Sequence, residues 1–138
     1  MTGLPVTMPR RWLRVRGGYA APGVHASGVA PRLECRSVPF EGDLEAWRRR
    51  VAAADQTRPG FDLEDEDVFE LAGHDVAYRR FGHLAAGVPV LCEQWLWVVG
   101  GLAHQLLGTV AREEYADYCE VFEDVAETFD PDPTAWSA

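Results

Sequence analysis

Two apolar runs meet at a Gly-Gly pair in "VLCEQWLWVVGGLAHQLLGTV", Val90 to Val110. Both glycines can take positive φ, which is what a two-residue turn between right-twisted strands requires. The stretch therefore predicts a β-hairpin with Val99 opposite Leu102. Side chains alternate along each strand, so this register assigns every residue to one of two faces.

One face carries Leu91, Glu93, Trp95, Trp97, Val99, Leu102, His104, Leu106, Gly108 and Val110. It is bulky and mostly apolar, and it is the expected seat for an amphipathic helix. The other carries Cys92, Gln94, Leu96, Val98, Ala103, Gln105, Leu107 and Thr109. Two glutamines are too polar for a core without partners, and the rest is too apolar for a solvated surface. Two readings of this second face stand. It holds an apolar segment of a partner through Gln94, Leu96, Val98, Gln105 and Leu107, or the chain's own N-terminal segment, with Trp12, lies over it.

The flanking sequence supplies the rest of the domain. "FDLEDEDVFEL" is acidic and is read as a strand near Val68–Leu71. "AGHD" turns the chain, and "VAYRRFGHL" returns with Ala77, Arg79 and Phe81 on one face and Val76, Tyr78 and Arg80 on the other. These two runs and the hairpin make a four-stranded antiparallel meander. Upstream, two short extended runs are expected within "GVHASGVAPRLECRSVPF", and the second alternates Leu33, Cys35, Ser37 against Arg32, Glu34, Arg36. "GDLEAWRRRVAAADQTRPG" is a helix capped by Asp43 and stopped at Pro59-Gly60, with Leu44, Trp47, Val51 and Ala54 on its apolar face. "AREEYADYCEVFEDVAETF" is a second amphipathic helix, with Tyr115, Tyr118, Phe122, Val125, Ala126 and Phe129 recurring at three and four. Asp130-Pro131 ends it.

A chain of 138 residues suits one core. The expected class is α+β: an antiparallel meander flanked by an N-terminal-half helix and a C-terminal amphipathic helix. Residues 1–23 are read as a flexible basic arm, 24–130 as the domain and 131–138 as a tail. The net charge of -9 disfavours nucleic acid and anionic membranes as partners. It is unevenly placed, with nine Arg against four Asp/Glu in residues 1–50 and four against eighteen in residues 51–138.

No catalytic, cofactor or metal site is read. Cys35, Cys92 and Cys119 lack metal-type spacing and read as buried thiols of a reducing compartment. The acidic run lacks the central Gly and final Glu of a calcium loop. "VRGGYAAPG" opens no helix and has no Lys-Ser/Thr, so it is not a phosphate loop. The N-terminus shows no apolar run of signal-peptide type and no stretch suits a membrane helix, so a cytoplasmic protein without stable membrane insertion is expected.

The succession "LAGHDVAYRRF", "VLCEQWLWVVGG", "LAHQLLGTV" and "YADYCEVFEDVAETF" resembles the PsbP-like superfamily, over Leu33 to Phe129. The resemblance implies an α/β/α sandwich around an antiparallel sheet. Among its branches, the bacterial effector-associated (Eag-type) chaperones fit better than the LpqN-type lipoproteins, because no lipoprotein signal is seen. It implies a non-enzymatic cytoplasmic chaperone or adaptor, in some relatives dimeric, that holds an apolar helix of a secretion effector on its sheet. Two other functions stay open: an accessory subunit of a secretion or contractile-injection assembly, and a small-molecule binder or enzyme around His104, opposite Trp97.

Overall fold

The computed structural model describes residues 6–132. Strands β1 (Leu13–Val15), β2 (Gly18–Ala20) and β3 (Arg32–Pro39) precede helix α1 (Leu44–Asp55). Strands β4 (Asp62–Leu71), β5 (His74–Ala85), β6 (Val88–Val99) and β7 (Leu102–Ala111) follow, then a 3-10 turn at Arg112–Glu114 and helix α2 (Tyr115–Glu127). All seven strands form one antiparallel sheet in the order β1-β2-β3-β7-β6-β5-β4. One helix lies on each face, which is the α+β sandwich expected.

The Gly-Gly register holds to the residue: Val99 pairs with Leu102 and Trp97 with His104. The other two meander turns are built the same way. Ala72-Gly73 and Ala86-Gly87 each place two successive residues at positive φ, as Gly100-Gly101 does.

Three elements differ from expectation. The segment read as a basic arm, residues 1–23, contains β1 and β2, a hairpin that extends the sheet beyond β3. The extended run expected just before β3 is not a strand. The acidic segment is strand from Asp62 rather than from Val68, because arginines of other elements offset its charge: Glu64 meets Arg80 and Arg112, and Glu66 meets Arg48. Asp65 pairs with Arg80 and Glu66 with Arg79, after a bulge between Leu63 and Asp65. Of the expected tail, 131–138, only Pro131 and Asp132 fall within the described residues, and Trp136 lies outside them.

The topology decides what covers each face. β3 pairs with β7, so the chain must travel from β3 across β7, β6 and β5 to reach β4 at the far edge. Helix α1 makes that crossing. Asp43 caps its start by accepting from the Ala46 amide at 2.8 Å. Trp47 and Val51 then pack on Ala77, Leu96 and Ala103. Helix α2 returns over the opposite face, where Phe122, Val125, Ala126 and Phe129 join Trp95, Trp97, Leu106 and Val110. Trp12 belongs to this second cluster, with its ring 6.2 Å from Tyr118.

Candidate functional site

The five residues expected to hold a partner share the α1 side of the sheet, as their register requires. The structure nevertheless corrects their role. Gln94, Leu96 and Leu107 are buried, while Val98 and Gln105 are half-buried. What lies over Gln94 and Leu96 is α1, neither a partner nor the N-terminal segment. The Gln94 amide is already engaged: Oε1 accepts from Arg79 Nη1 at 2.9 Å, and Nε2 donates to Asp55 Oδ2 at 3.0 Å. Arg79 Nη1 also donates to Asp55 Oδ2 at 2.6 Å. Asp55 is 3% exposed and Arg79 1%. The polar character of this face is therefore a buried charge network that α1 closes.

Helix α1 crosses only part of the face. Beside it, toward β3 and β7, a cleft of about 530 Å³ remains, lined among others by Arg36, Trp47, Arg50, Arg58, Gln105 and Leu107. The register continues this surface outward. Val15 pairs with Gly18, Gly18 with Glu34, and Glu34 with Leu107. Leu13 leads in the same way through Ala20 and Arg32 to Thr109. Leu13 (60% exposed) and Val15 (36%) thus share the face of the cleft. Gly18 and Ala20 lie between them and β3.

A second cleft, about 390 Å³, opens on the α2 side at the β4 margin. Phe69, Tyr78 and Trp95 line it, with Asp65, Asp67, Glu123 and Glu127 and a single cation, Arg80. Close by, Glu93 is almost fully buried. Its Oε2 accepts from the Tyr78 hydroxyl at 2.5 Å, and Oε1 has no hydrogen-bond partner. Burial raises the pKa of Glu93, and burial followed by the Glu93 hydrogen bond raises that of Tyr78.

His104 lines neither cleft. Its Nδ1 lies 2.7 Å from Ser37 Oγ and its Nε2 3.0 Å from the Pro131 carbonyl, so both ring nitrogens are occupied. Trp97, opposite it, stacks on Phe129 at 4.1 Å and 7°. Burial lowers the His104 pKa. Burial also pushes the Cys35 and Cys92 thiols up to about 11, which disfavours the thiolate. Among the described residues no three His, Cys, Asp or Glu side chains converge to hold a metal, and no helix is long and apolar enough to cross a membrane.

No protein-family model and no curated protein matches the chain. Solved structures do. PA94 of Pseudomonas aeruginosa, a protein of unknown function, superposes with a TM-score of 0.70 at 15% identity, over 91% of this chain and 90% of that one. LpqN of Mycobacterium tuberculosis, involved in cell envelope biogenesis, gives 0.71 at 14% identity, over 88% and 79%. The PsbP protein of Synechocystis sp. PCC 6803 gives 0.55 at 14%, over 94% and 93%. At these identities the likeness is one of fold, and the fold is PsbP-like.

Proposed function

We propose that this chain is a non-enzymatic protein-binding module, a small cytoplasmic chaperone or adaptor that holds an apolar segment of a partner against its sheet. One observation carries the reading: the part of the α1-side face that α1 leaves bare. There Leu13 and Val15 stand exposed, across Gly18 and Ala20 from β3 and on the same face as the cleft lined by Gln105 and Leu107. Exposed apolar side chains bordering a concavity are what a segment-binding surface needs. Within the PsbP-like fold this is the task of the effector-associated chaperones, and the occupant on that reading is an apolar helix of a secretion effector. Gln94 and Leu96 have no contact role in it; they support α1.

A second reading, an accessory subunit of a secretion or injection assembly, is favoured by the sheet's two edges. β1 and β4 each pair on one side only, and β4 is lined with carboxylates.

The test is capture from the native host with the tagged chain and with Leu13→Asp/Val15→Asp. Both side chains are exposed, so the variant should melt within a few degrees of the wild type. The expected result is one stoichiometric protein with an apolar helix, retained by the wild type and lost from the variant. Retention by the variant rejects this surface. Recovery in a large particle that the variant still joins favours the assembly reading.

A further inference from the structure

The α1-side cleft has a charge imbalance that its neighbours do not correct. Two carboxylates line it, and each already has a guanidinium: Glu34 pairs with Arg32 at 2.8 Å, and Asp55 with Arg79 and Arg58. Arg36 and Arg50 also line it, and neither has an ion-pair partner among the described residues. Their guanidinium carbons sit 5.8 and 5.9 Å from the Trp47 ring centroid. The "RRR" run is thereby split by function. Arg48 and Arg49 are tied to Glu45, and Arg48 also to Glu66, whereas Arg50 turns to the cleft. In a chain of net charge -9, this concavity holds guanidiniums without counter-charges. The rest of the lining is apolar or neutral: Val51, Ala54, Leu107 and the Gln105 amide.

We infer that this cleft is a site for an organic carboxylate, its anionic end taken by Arg36 and Arg50 and its body set in the cleft beside Ala54 and the Gln105 amide. The planar guanidinium fork matches a carboxylate. The inference rests on the reading above only for the source of that carboxylate. On that reading it is an acidic side chain beside the partner's apolar segment; the other source of the same chemistry is a free organic acid.

The test uses 2-naphthoate against its neutral amide, 2-naphthamide, followed by NMR at the Trp47 indole and the Gln105 amide. Inorganic phosphate is the control for unspecific anion binding. Naphthoate should bind about tenfold or more tightly than the amide, the scale of one charge-assisted hydrogen bond. The preference should vanish in Arg36→Gln/Arg50→Gln and persist in Arg49→Gln, whose side chain lies outside the cleft. Equal binding of acid and amide overturns the inference, since the arginines then only cover the indole. Phosphate binding as tight as naphthoate also overturns it. Host capture by Arg36→Gln/Arg50→Gln separates the sources. Loss of the partner places the carboxylate on the partner segment. If the naphthoate preference holds while wild type and variant capture nothing, the cleft takes a free acid, and the segment-binding reading fails without the site failing.

Discussion

The two faces of this sheet are covered by helices of nearly equal length, 12 residues in α1 and 13 in α2, and they are built differently. Under α2 the contacts are mainly aromatic and apolar, Trp97 stacked on Phe129 and Phe122 seated over Gly108, with Glu93 and His104 buried beside them. Under α1 the helix brings Trp47 and Val51 and then a carboxylate, Asp55, which meets Arg79 and Gln94. A face that uses part of its area for a charge network has fewer bulky groups with which to fill the space beside the helix. That is where the larger cleft stays open. The contrast extends to charge. Arg36 and Arg50 from the basic residues 1–50, with Arg58, line the α1-side cleft, and carboxylates from the acidic remainder line the α2-side one. The uneven charge of the sequence has become a difference between two surfaces.

The largest effect should come from breaking the network. Asp55→Ala leaves the Arg79 guanidinium buried without its carboxylate, and removing one partner of a buried pair costs about 3–5 kcal/mol. Urea unfolding measures it. The combined change Asp55→Leu/Arg79→Met/Gln94→Leu should recover most of the loss, because an apolar set of similar volume has no charge to desolvate. A cost for Asp55→Ala no greater than that of a surface substitution would show that the α1 face does not depend on these three residues.

Much of this contrast was legible before the structure, and the reasons for what was missed are physical. The Gly100-Gly101 pair determined the register of β6 and β7, and with it both face lists, because a period of two admits no other assignment. The Asp43 cap and the aromatic stripe of α2 were equally plain. β1 and β2 were missed because three residues show no period. The acidic half of β4 was missed because its carboxylates are offset by Arg48, Arg80 and Arg112, which lie elsewhere in sequence. The site was misread for a topological reason. Gln94 looked available because nothing local says that α1 must cross from β3 to β4. One signal was present: Trp47, Val51 and Asp55 recur at four, which places a carboxylate on the buried stripe facing the strand that carries Arg79.

A smaller effect tests how closely the α2 face is packed relative to the α1 face. A Cβ at Gly108 would stand 2.6 Å from Phe122 Cδ2, inside any real contact. Gly108→Ala should therefore destabilise by about 1–3 kcal/mol, the range for overpacking a filled core. Adding Phe122→Leu should make the alanine better tolerated than it is in the wild-type background. On the other face Ala54 borders the open cleft, and Ala54→Leu should change stability by no more than about 0.5 kcal/mol. Similar costs for the two substitutions would remove the packing difference on which the comparison rests.

The smallest effect separates the faces by pH. The network under α1 pairs its carboxylate with arginines, whereas Glu93 under α2 meets Tyr78, Arg80, Tyr115 and Glu123 and has no hydrogen-bond partner at Oε1. Burial raises the Glu93 pKa, so between the unfolded value, about 4.3, and the higher folded value, the folded chain binds the extra proton. Stability from this group is present at low pH and declines as pH rises through the folded value. Glu93→Gln keeps an acceptor for the Tyr78 hydroxyl and removes the titration. The variant should gain on the wild type as pH rises from 4 to 8, read as a widening difference in Tm. His83 and His104, both lowered by burial, act in the opposite sense, adding stability as pH rises through about 6.5. They are common to both proteins and cancel in the difference. A difference that stays flat across the range would mean that burial does not hold Glu93 protonated in the folded chain.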